Sequence, residues 1–130
     1  MVDDLAVTTQ DFAAAVEAAD QPAILKIAGQ MHYADLADAY EHLDEEHRPV
    51  VLASIGPRLA ADMIGELPAS LVEEALESFK PAQLKVLFQE LSDDDRVDIL
   101  QDVSERARHR FLGLLGREDE ELTRSLLKYD

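Results

Sequence analysis

The sequence of 130 residues predicts an all-α fold, a solenoid in which short helices stack one after another. Three observations predict it. Apolar residues recur with a period of 12, the apolar positions of each repeat lie on one helical stripe, and capping or helix-breaking residues separate the repeats. Hydrophobic residues make up 47% of the chain and aromatic residues only 5%, so the core is mainly aliphatic, which suits helices packed on helices.

Seven segments carry the repeat. Their last residues are Leu43, Ile55, Leu67, Phe79, Leu91, Val103 and Leu115. The residues three positions earlier are Tyr40, Leu52, Ile64, Leu76, Phe88, Leu100 and Leu112. The residues four positions earlier are Ala39, Val51, Met63, Ala75, Leu87, Ile99 and Phe111. All 21 of these positions are apolar, whereas a hydrophobic content of 47% predicts about ten, so the repeat is a strong signal.

The spacing i, i+1, i+4 within each segment is typical of one face of an α-helix and differs from the alternation of a strand. We expect helix breaks near residues 44, 56, 68, 80, 92, 104 and 116. The residues that mark these breaks are the N-capping candidates Asp44, Ser92 and Ser104, the first-turn prolines Pro57 and Pro81, and the breakers Gly56, Pro68 and Gly116. Helices of roughly 8–9 residues are unstable alone, so each must bury its stripe against neighbouring units.

The repeat weakens at both ends of the chain. Upstream, the stripe continues through Ile27, Ala28 and Met31 and then through Ala15, Val16 and Ala19. Downstream, Leu127 fits the period, but Thr123 and Arg124 occupy the other two slots. We therefore expect residues 117–129 to form a terminal helix with a different orientation. No interior linker or low-complexity stretch interrupts the pattern, which predicts a single domain over residues 1–130.

The charge balance limits the partners that the chain can have. Twenty-eight acidic residues stand against twelve Lys and Arg, a formal net charge of −16, which disfavours nucleic acid and anionic membrane surfaces and attracts cations. Cysteine is absent, which excludes disulfides and thiolate metal sites. No apolar run approaches the ~18–20 residues that span a bilayer, and the N-terminus lacks the order of a signal peptide. We expect a soluble, cytosolic domain without direct membrane insertion.

Catalytic constellations are missing from the sequence. His42 and His47 are five residues apart across an expected turn, which differs from the i, i+4 spacing of helical zinc hydrolase motifs. No serine lies on a Gly-x-Ser-x-Gly elbow, and the glycines at 113 and 116 mark a helix end rather than a phosphate loop. Carboxylate pairs are so common in this chain that spacing alone nominates no general acid and base. We therefore expect no enzymatic activity.

Acidic residues recur at one position of the repeat. Asp62 and Asp98 occupy the slot five residues before a segment end, and Asp94 lies four residues before Asp98, so those two share a helix face. Two interpretations stay open from the residues alone. The carboxylates either cap and solvate helices, or form a cation-attracting face. Mg²⁺ keeps several waters, so one or two carboxylates per ion suffice for it.

Four segments, in order, resemble the intracellular N domain of the MgtE magnesium transporter family. Residues 32–43, HYADLADAYEHL, resemble its opening H-P-x-D-L-A-x-x-x-E-x-L unit. LAADM at 59–63 and ELSDDDRVDIL at 90–100 resemble its A-A-E-V helix start and its E-L-S-x-D-D-x-A-D-x-L segment. LLKYD at 126–130 matches the stretch before that family's linker. The likeness covers roughly residues 10–130.

The resemblance implies a fold and a role. In that family a right-handed superhelical domain lies on the cytoplasmic side of the bacterial inner membrane. It precedes a pair of CBS domains and a dimeric transmembrane pore. Mg²⁺ ions lie between its acidic face and acidic CBS residues and favour the closed pore. Carried over by motif, the ligands of this domain are Asp62, Asp94 and Asp98, with weak Mg²⁺ binding by the isolated domain. Arg96 departs from the pattern and is placed to compete with Mg²⁺ for a carboxylate.

A second interpretation comes from a different class of protein. Short stacked helices with Pro breaks are also similar to the middle and C-terminal domains of the flagellar motor switch protein, a protein-interaction scaffold. The Gly-Gly-x-Gly-Lys-like and Glu-His-Pro-Gln signatures expected there are absent from this sequence.

Overall fold

The computed structural model describes the backbone of residues 2–8 and residues 9–115, 123, 124 and 127 in full. Throughout this part of the chain the regular structure is helical, without a strand, which confirms the all-α prediction. The helices are α1 Val2–Glu17, α2 Gln21–Gln30, α3 Tyr33–Glu41, α4 Arg48–Ile64, α5 Ala69–Glu77, α6 Pro81–Glu90, α7 Asp93–Gln101 and α8 Glu105–Leu112, with a 3₁₀ turn at Glu45–His47. None of these helices is long and apolar enough to cross a bilayer.

Local sequence signals explain most helix starts. The hydroxyl oxygens of Ser92 and Ser104 accept hydrogen bonds from the backbone N–H groups of Asp95 (3.1 Å) and Ala107 (3.2 Å), so both predicted N-caps are confirmed. Pro81 occupies the first turn of α6, where its missing N–H leaves no partner unsatisfied. The breaks expected near 44, 68, 80, 92 and 104 all separate helices, whereas position 116 lies outside the described residues.

One detail of the expected helix starts is wrong. Asp44 precedes the short 3₁₀ turn but makes no side-chain capping bond, because α4 begins four residues later at Arg48. The break expected at 56 is confirmed. Gly56 is non-helical, with φ 78° and ψ 172°, so α4 consists of two helical segments that meet at a kink there, and Pro57 begins the second segment.

The predicted apolar stripe forms the core. Of its 21 positions, 18 are buried, and the other three, Ala39, Leu43 and Leu91, are partly buried and pack on the same cluster. That cluster extends from Phe12 to Leu115, and α4 packs against α2, α3, α5 and α6 at its centre. Stacked short helices with a continuous core agree with a solenoid. The right-handed sense of the superhelix stays a prediction.

The weak ends of the repeat behave differently from each other. Upstream, Ala15, Val16, Ala28 and Met31 are buried as expected. Ala19 is exposed, contrary to the extended stripe, because α1 ends at Glu17 and Ala19 takes a left-handed turn conformation with φ 53°. Downstream, most of the expected terminal helix at 117–129 lies outside the described residues.

Candidate acidic site

Two of the three nominated carboxylates lie on one helix. Ser92 caps α7, and the first turn of that helix carries Asp93, Asp94 and Asp95, where negative charge meets the positive end of the helix dipole. Asp94 and Asp98 are both exposed and four residues apart, which places them on one face of α7 as the sequence predicts. Their neighbours at 97, 99 and 100 are buried, so the packing of α7 holds this acidic face toward solvent.

The third carboxylate, Asp62, lies on α4 and is also exposed. It lines a groove of about 320 Å³ where the end of α4, the end of α6 and the start of α7 meet. Three further carboxylates line this groove, those of Glu66, Glu90 and Asp95. Asp94 and Asp98 do not line it, so the structure does not bring Asp62 together with the α7 pair in one pocket.

The three nominated side chains lack partners within the described part of the molecule. No hydrogen bond or ion pair engages the carboxylate of Asp62, Asp94 or Asp98 there. Nor do three Asp, Glu or His side chains among the described residues converge closely enough to hold a metal ion. Exposed carboxylates without an internal counter-charge fit an outward-facing half of a hydrated Mg²⁺ site, and not a complete cage.

Other carboxylates of this acidic chain form hydrogen bonds or ion pairs within the domain. On α5, Glu73 accepts a hydrogen bond from the Ser104 backbone N–H (2.6 Å), and Glu74 accepts one from Arg48 (3.3 Å). Glu77 pairs with Arg110 on α8. These contacts connect α5 to neighbouring units, so these three carboxylates have a structural role.

Arg96, which departs from the family's pattern, turns away from the nominated ligands. It is only 4% exposed, and its guanidinium turns inward, where Nε and Nη2 donate to the Phe88 carbonyl (3.3 and 2.9 Å). Its ion pair is with Asp93, at 3.5 Å, and not with Asp94 or Asp98. Arg96 therefore does pair with a carboxylate, but with that of Asp93 rather than a nominated ligand, because burial against α6 directs the side chain away from the exposed face.

Sequence reasoning missed the other carboxylates of the groove, although part of the signal was there. Glu66 and Glu90 both stand one residue before a segment end, two repeat units apart. The solenoid brings the ends of α4 and α6 side by side, so equal slots in these units become neighbours. Arg58 pairs with Glu90 at 3.6 Å, an exposed contact that contributes little stability.

Two of the four histidines, His32 and His42, have structural contacts. His32 Nδ1 accepts a hydrogen bond from the Ala34 backbone N–H (3.1 Å) at the start of α3. At the other end, His42 Nδ1 donates to the Asp38 backbone carbonyl (2.7 Å). This bond, together with the nearby Asp38 carboxylate, raises the pKa of His42 above its usual value. Both rings stabilise helix ends, as expected for histidines outside any ligand set.

Comparison with known proteins indicates the same family as the sequence motifs. The family model of the MgtE intracellular N domain matches residues 31–130. No curated protein matches the sequence. Two solved structures are among those that share the fold. The soluble part of a magnesium transporter has a TM-score of 0.83 at 19% identity, over 97% of this chain and 50% of that one. At this identity the likeness shows the fold alone.

The second structure is the cytosolic domain of the Mg²⁺ channel MgtE in complex with ATP. It has a TM-score of 0.83 at 28% identity and covers 94% of this chain and 50% of that one. This chain therefore spans about half the length of both solved structures. The family model covers well over half of the 130 residues, and it agrees with both folds and with the four ordered motifs. The chain belongs to the MgtE intracellular N domain family.

Proposed function

We propose that this domain senses Mg²⁺ for a magnesium transporter or channel and favours the closed pore when Mg²⁺ is plentiful. The observation that carries the proposal is the set of exposed carboxylates, Asp62, Asp94 and Asp98, without partners among the described residues. An unpaired acidic face on a well-packed domain is costly to bring against another acidic surface unless cations lie between them.

The mechanism is a shared site. Asp94 and Asp98 supply one or two oxygens to a hydrated Mg²⁺, and acidic residues of the adjacent CBS domains supply the others. Asp62, which lines a separate groove, serves a different ion. At low Mg²⁺ the two acidic surfaces repel, and the N domain moves away from the CBS pair. At high Mg²⁺ the bridging ions favour the compact arrangement, so the bias comes from differential ion binding.

The partners follow from this mechanism. They are the CBS pair and the pore of the same polypeptide, which forms a homodimer with these domains on the cytoplasmic side of the membrane. Solved relatives that extend to twice this length support the presence of a second soluble part. The family match supports the transporter over the motor-switch scaffold. The net charge of −16 supports cations, and not nucleic acid, as the ligands of this surface.

The proposal is tested in the natural polypeptide that contains this chain, truncated before its membrane part. Small-angle scattering follows its radius of gyration during MgCl₂ titration. We expect compaction in the wild type and a midpoint shifted at least about tenfold upward in Asp94→Asn/Asp98→Asn, because the bridging ions lose two charged ligands. Asp11→Asn/Glu17→Gln, which also removes two exposed carboxylate charges but from α1, is the matched control. Equal midpoints in all three proteins would contradict the proposal.

A further inference from the structure

Two polar side chains are buried in the described part of the chain, and they contact each other. Arg96 is 4% exposed and Thr123 is fully buried. Arg96 Nη1 donates a hydrogen bond to Thr123 Oγ1 at 3.3 Å, across 27 positions of sequence. Both residues break the pattern around them. Arg96 stands in the acidic start of α7, and Thr123 fills a slot that the repeat keeps apolar in seven preceding units.

One guanidinium therefore connects three parts of the molecule. Nε and Nη2 both donate to the Phe88 carbonyl near the end of α6, and Nη1 reaches Thr123 and lies 3.5 Å from the Asp93 carboxylate of α7. A buried charge is costly unless its hydrogen bonds and a counter-charge compensate it. The hydrogen bond to Thr123 contributes to this compensation, and it forms when α6, α7 and the segment of Thr123 hold these relative positions.

We propose that Arg96 is a positioning residue that fixes the orientation of the C-terminal segment, represented by Thr123, Arg124 and Leu127, against the α6–α7 junction. An apolar residue at 123 would allow that segment to slide or to continue the stacking of the repeat, because aliphatic contacts tolerate many arrangements. A buried polar pair selects one arrangement, in the way that a single polar residue fixes the register of a coiled coil.

The position of the contact gives it a functional consequence. Arg96 lies between Asp94 and Asp98 on α7, so the contact attaches the C-terminal segment to the helix with two of the proposed Mg²⁺ ligands. This consequence rests on the proposed function, whereas the contact itself does not. The exchange experiment is therefore made without Mg²⁺. A negative result would overturn the role of Arg96 and would not bear on Mg²⁺ sensing, which has its own experiment.

Amide hydrogen exchange of the 130-residue chain, followed by NMR, tests the proposal. Thr123→Val keeps the shape of the side chain but removes the acceptor. We expect the amides of Thr123, Arg124 and Leu127 to exchange about tenfold faster or more, because the buried hydrogen bond between Arg96 and this segment is lost. Thr123→Ser restores the hydroxyl and keeps wild-type rates. Ile99→Val, which removes one methyl group elsewhere on α7, is the control. It changes the exchange rates at 123–127 no more than those of the other slowly exchanging amides.

A double variant separates the polar contact from general loss of stability. Arg96→Met removes the contact from the other side, so Thr123→Val accelerates exchange of the C-terminal amides less in the Arg96→Met background than in the wild type. Strictly additive effects of the two substitutions would overturn the proposal. Unchanged rates at 123–127 in Thr123→Val, or acceleration spread evenly over the α2 and α4 amides, would overturn it as well.

Discussion

At the scale of single residues, Gly56 decides how two repeat units join. Its φ of 78° with ψ of 172° is essentially restricted to glycine, because a Cβ would clash with its own backbone. No neighbouring atom lies within 4 Å of the position that a Cβ would take. The requirement for glycine is therefore one of backbone conformation, and not of space.

Substitution of Gly56 separates these two explanations. We expect Gly56→Ala to lower the free energy of unfolding by about 1–3 kcal/mol, because alanine strongly disfavours this conformation. Gly29→Ala is the matched control, since Gly29 lies inside α2 and also has open space around it. That variant gains about 0.5–1 kcal/mol from helix propensity. Urea unfolding measures both, and equal effects of the two substitutions would contradict the assignment.

A second residue tests whether the repeat is the core. Leu76 is fully buried at the centre of the stripe. Leu76→Ala is expected to lower the free energy of unfolding by about 2–5 kcal/mol, the range for emptying a packed site. Leu25, which is 47% exposed, provides the control, and its replacement by alanine changes stability by about 0.5 kcal/mol or less. A loss below ~1 kcal/mol for Leu76→Ala in chemical denaturation would contradict its central placement.

At the scale of elements, His42 makes the stability of the end of α3 depend on pH. Its pKa is raised first by the hydrogen bond to the Asp38 carbonyl, and then by the Asp38 and Glu41 carboxylates. The protonated ring is thus favoured in the folded state. Its stabilising contribution is full below the unfolded pKa of 6.5 and is lost as the pH rises through the higher folded pKa.

Titration of His42 by NMR checks this account of the α3 end. We expect a pKa above 6.5 in the wild type. In Asp38→Asn the pKa falls only part of the way back, because the backbone carbonyl, which is the larger cause, remains. A wild-type value at or below 6.5 would contradict the hydrogen bond, and a complete return in Asp38→Asn would assign the shift to the carboxylate instead.

Helix identity and helix breaks were predictable because their causes are local. The stripe spacing, the serine caps and the first-turn prolines act within a few residues of where they stand. The course of the chain at 44–48 and 54–58 was less predictable. There, a 3₁₀ turn separates Asp44 from α4, and the two helical segments of α4 follow each other directly, with a kink at Gly56. Both depend on how adjacent units stack, which a single repeat unit does not contain.

At the scale of the whole molecule, the register of the repeat predicted that the nominated carboxylates are exposed. It did not predict which residues lie beside them. Asp62 shares its groove with Glu66, Glu90 and Asp95 because alternate units stack side by side. That proximity belongs to the superhelix rather than to any one motif. The burial of Arg96 was unpredictable for a similar reason. Its acceptors at Phe88 and Thr123 come from two other parts of the chain, eight and 27 residues away.

The account requires that this domain holds only part of each Mg²⁺ site. Within the described residues, no group of three acidic or histidine side chains is arranged to hold a metal ion. Mg²⁺ gives up its hydration shell reluctantly, so one or two exposed carboxylates bind it poorly without the remaining ligands. The affinity of the isolated chain therefore distinguishes a shared site from a complete one.

Calorimetric titration of the 130-residue chain with MgCl₂ measures that affinity directly. We expect weak binding, with a dissociation constant on the order of 1 mM or weaker, because the domain supplies too few oxygens to replace the bound waters. Asp94→Asn changes such a weak signal only slightly. A dissociation constant on the order of 1 μM that is lost in Asp94→Asn would contradict the shared-site mechanism, because it would place a complete sensor within this domain.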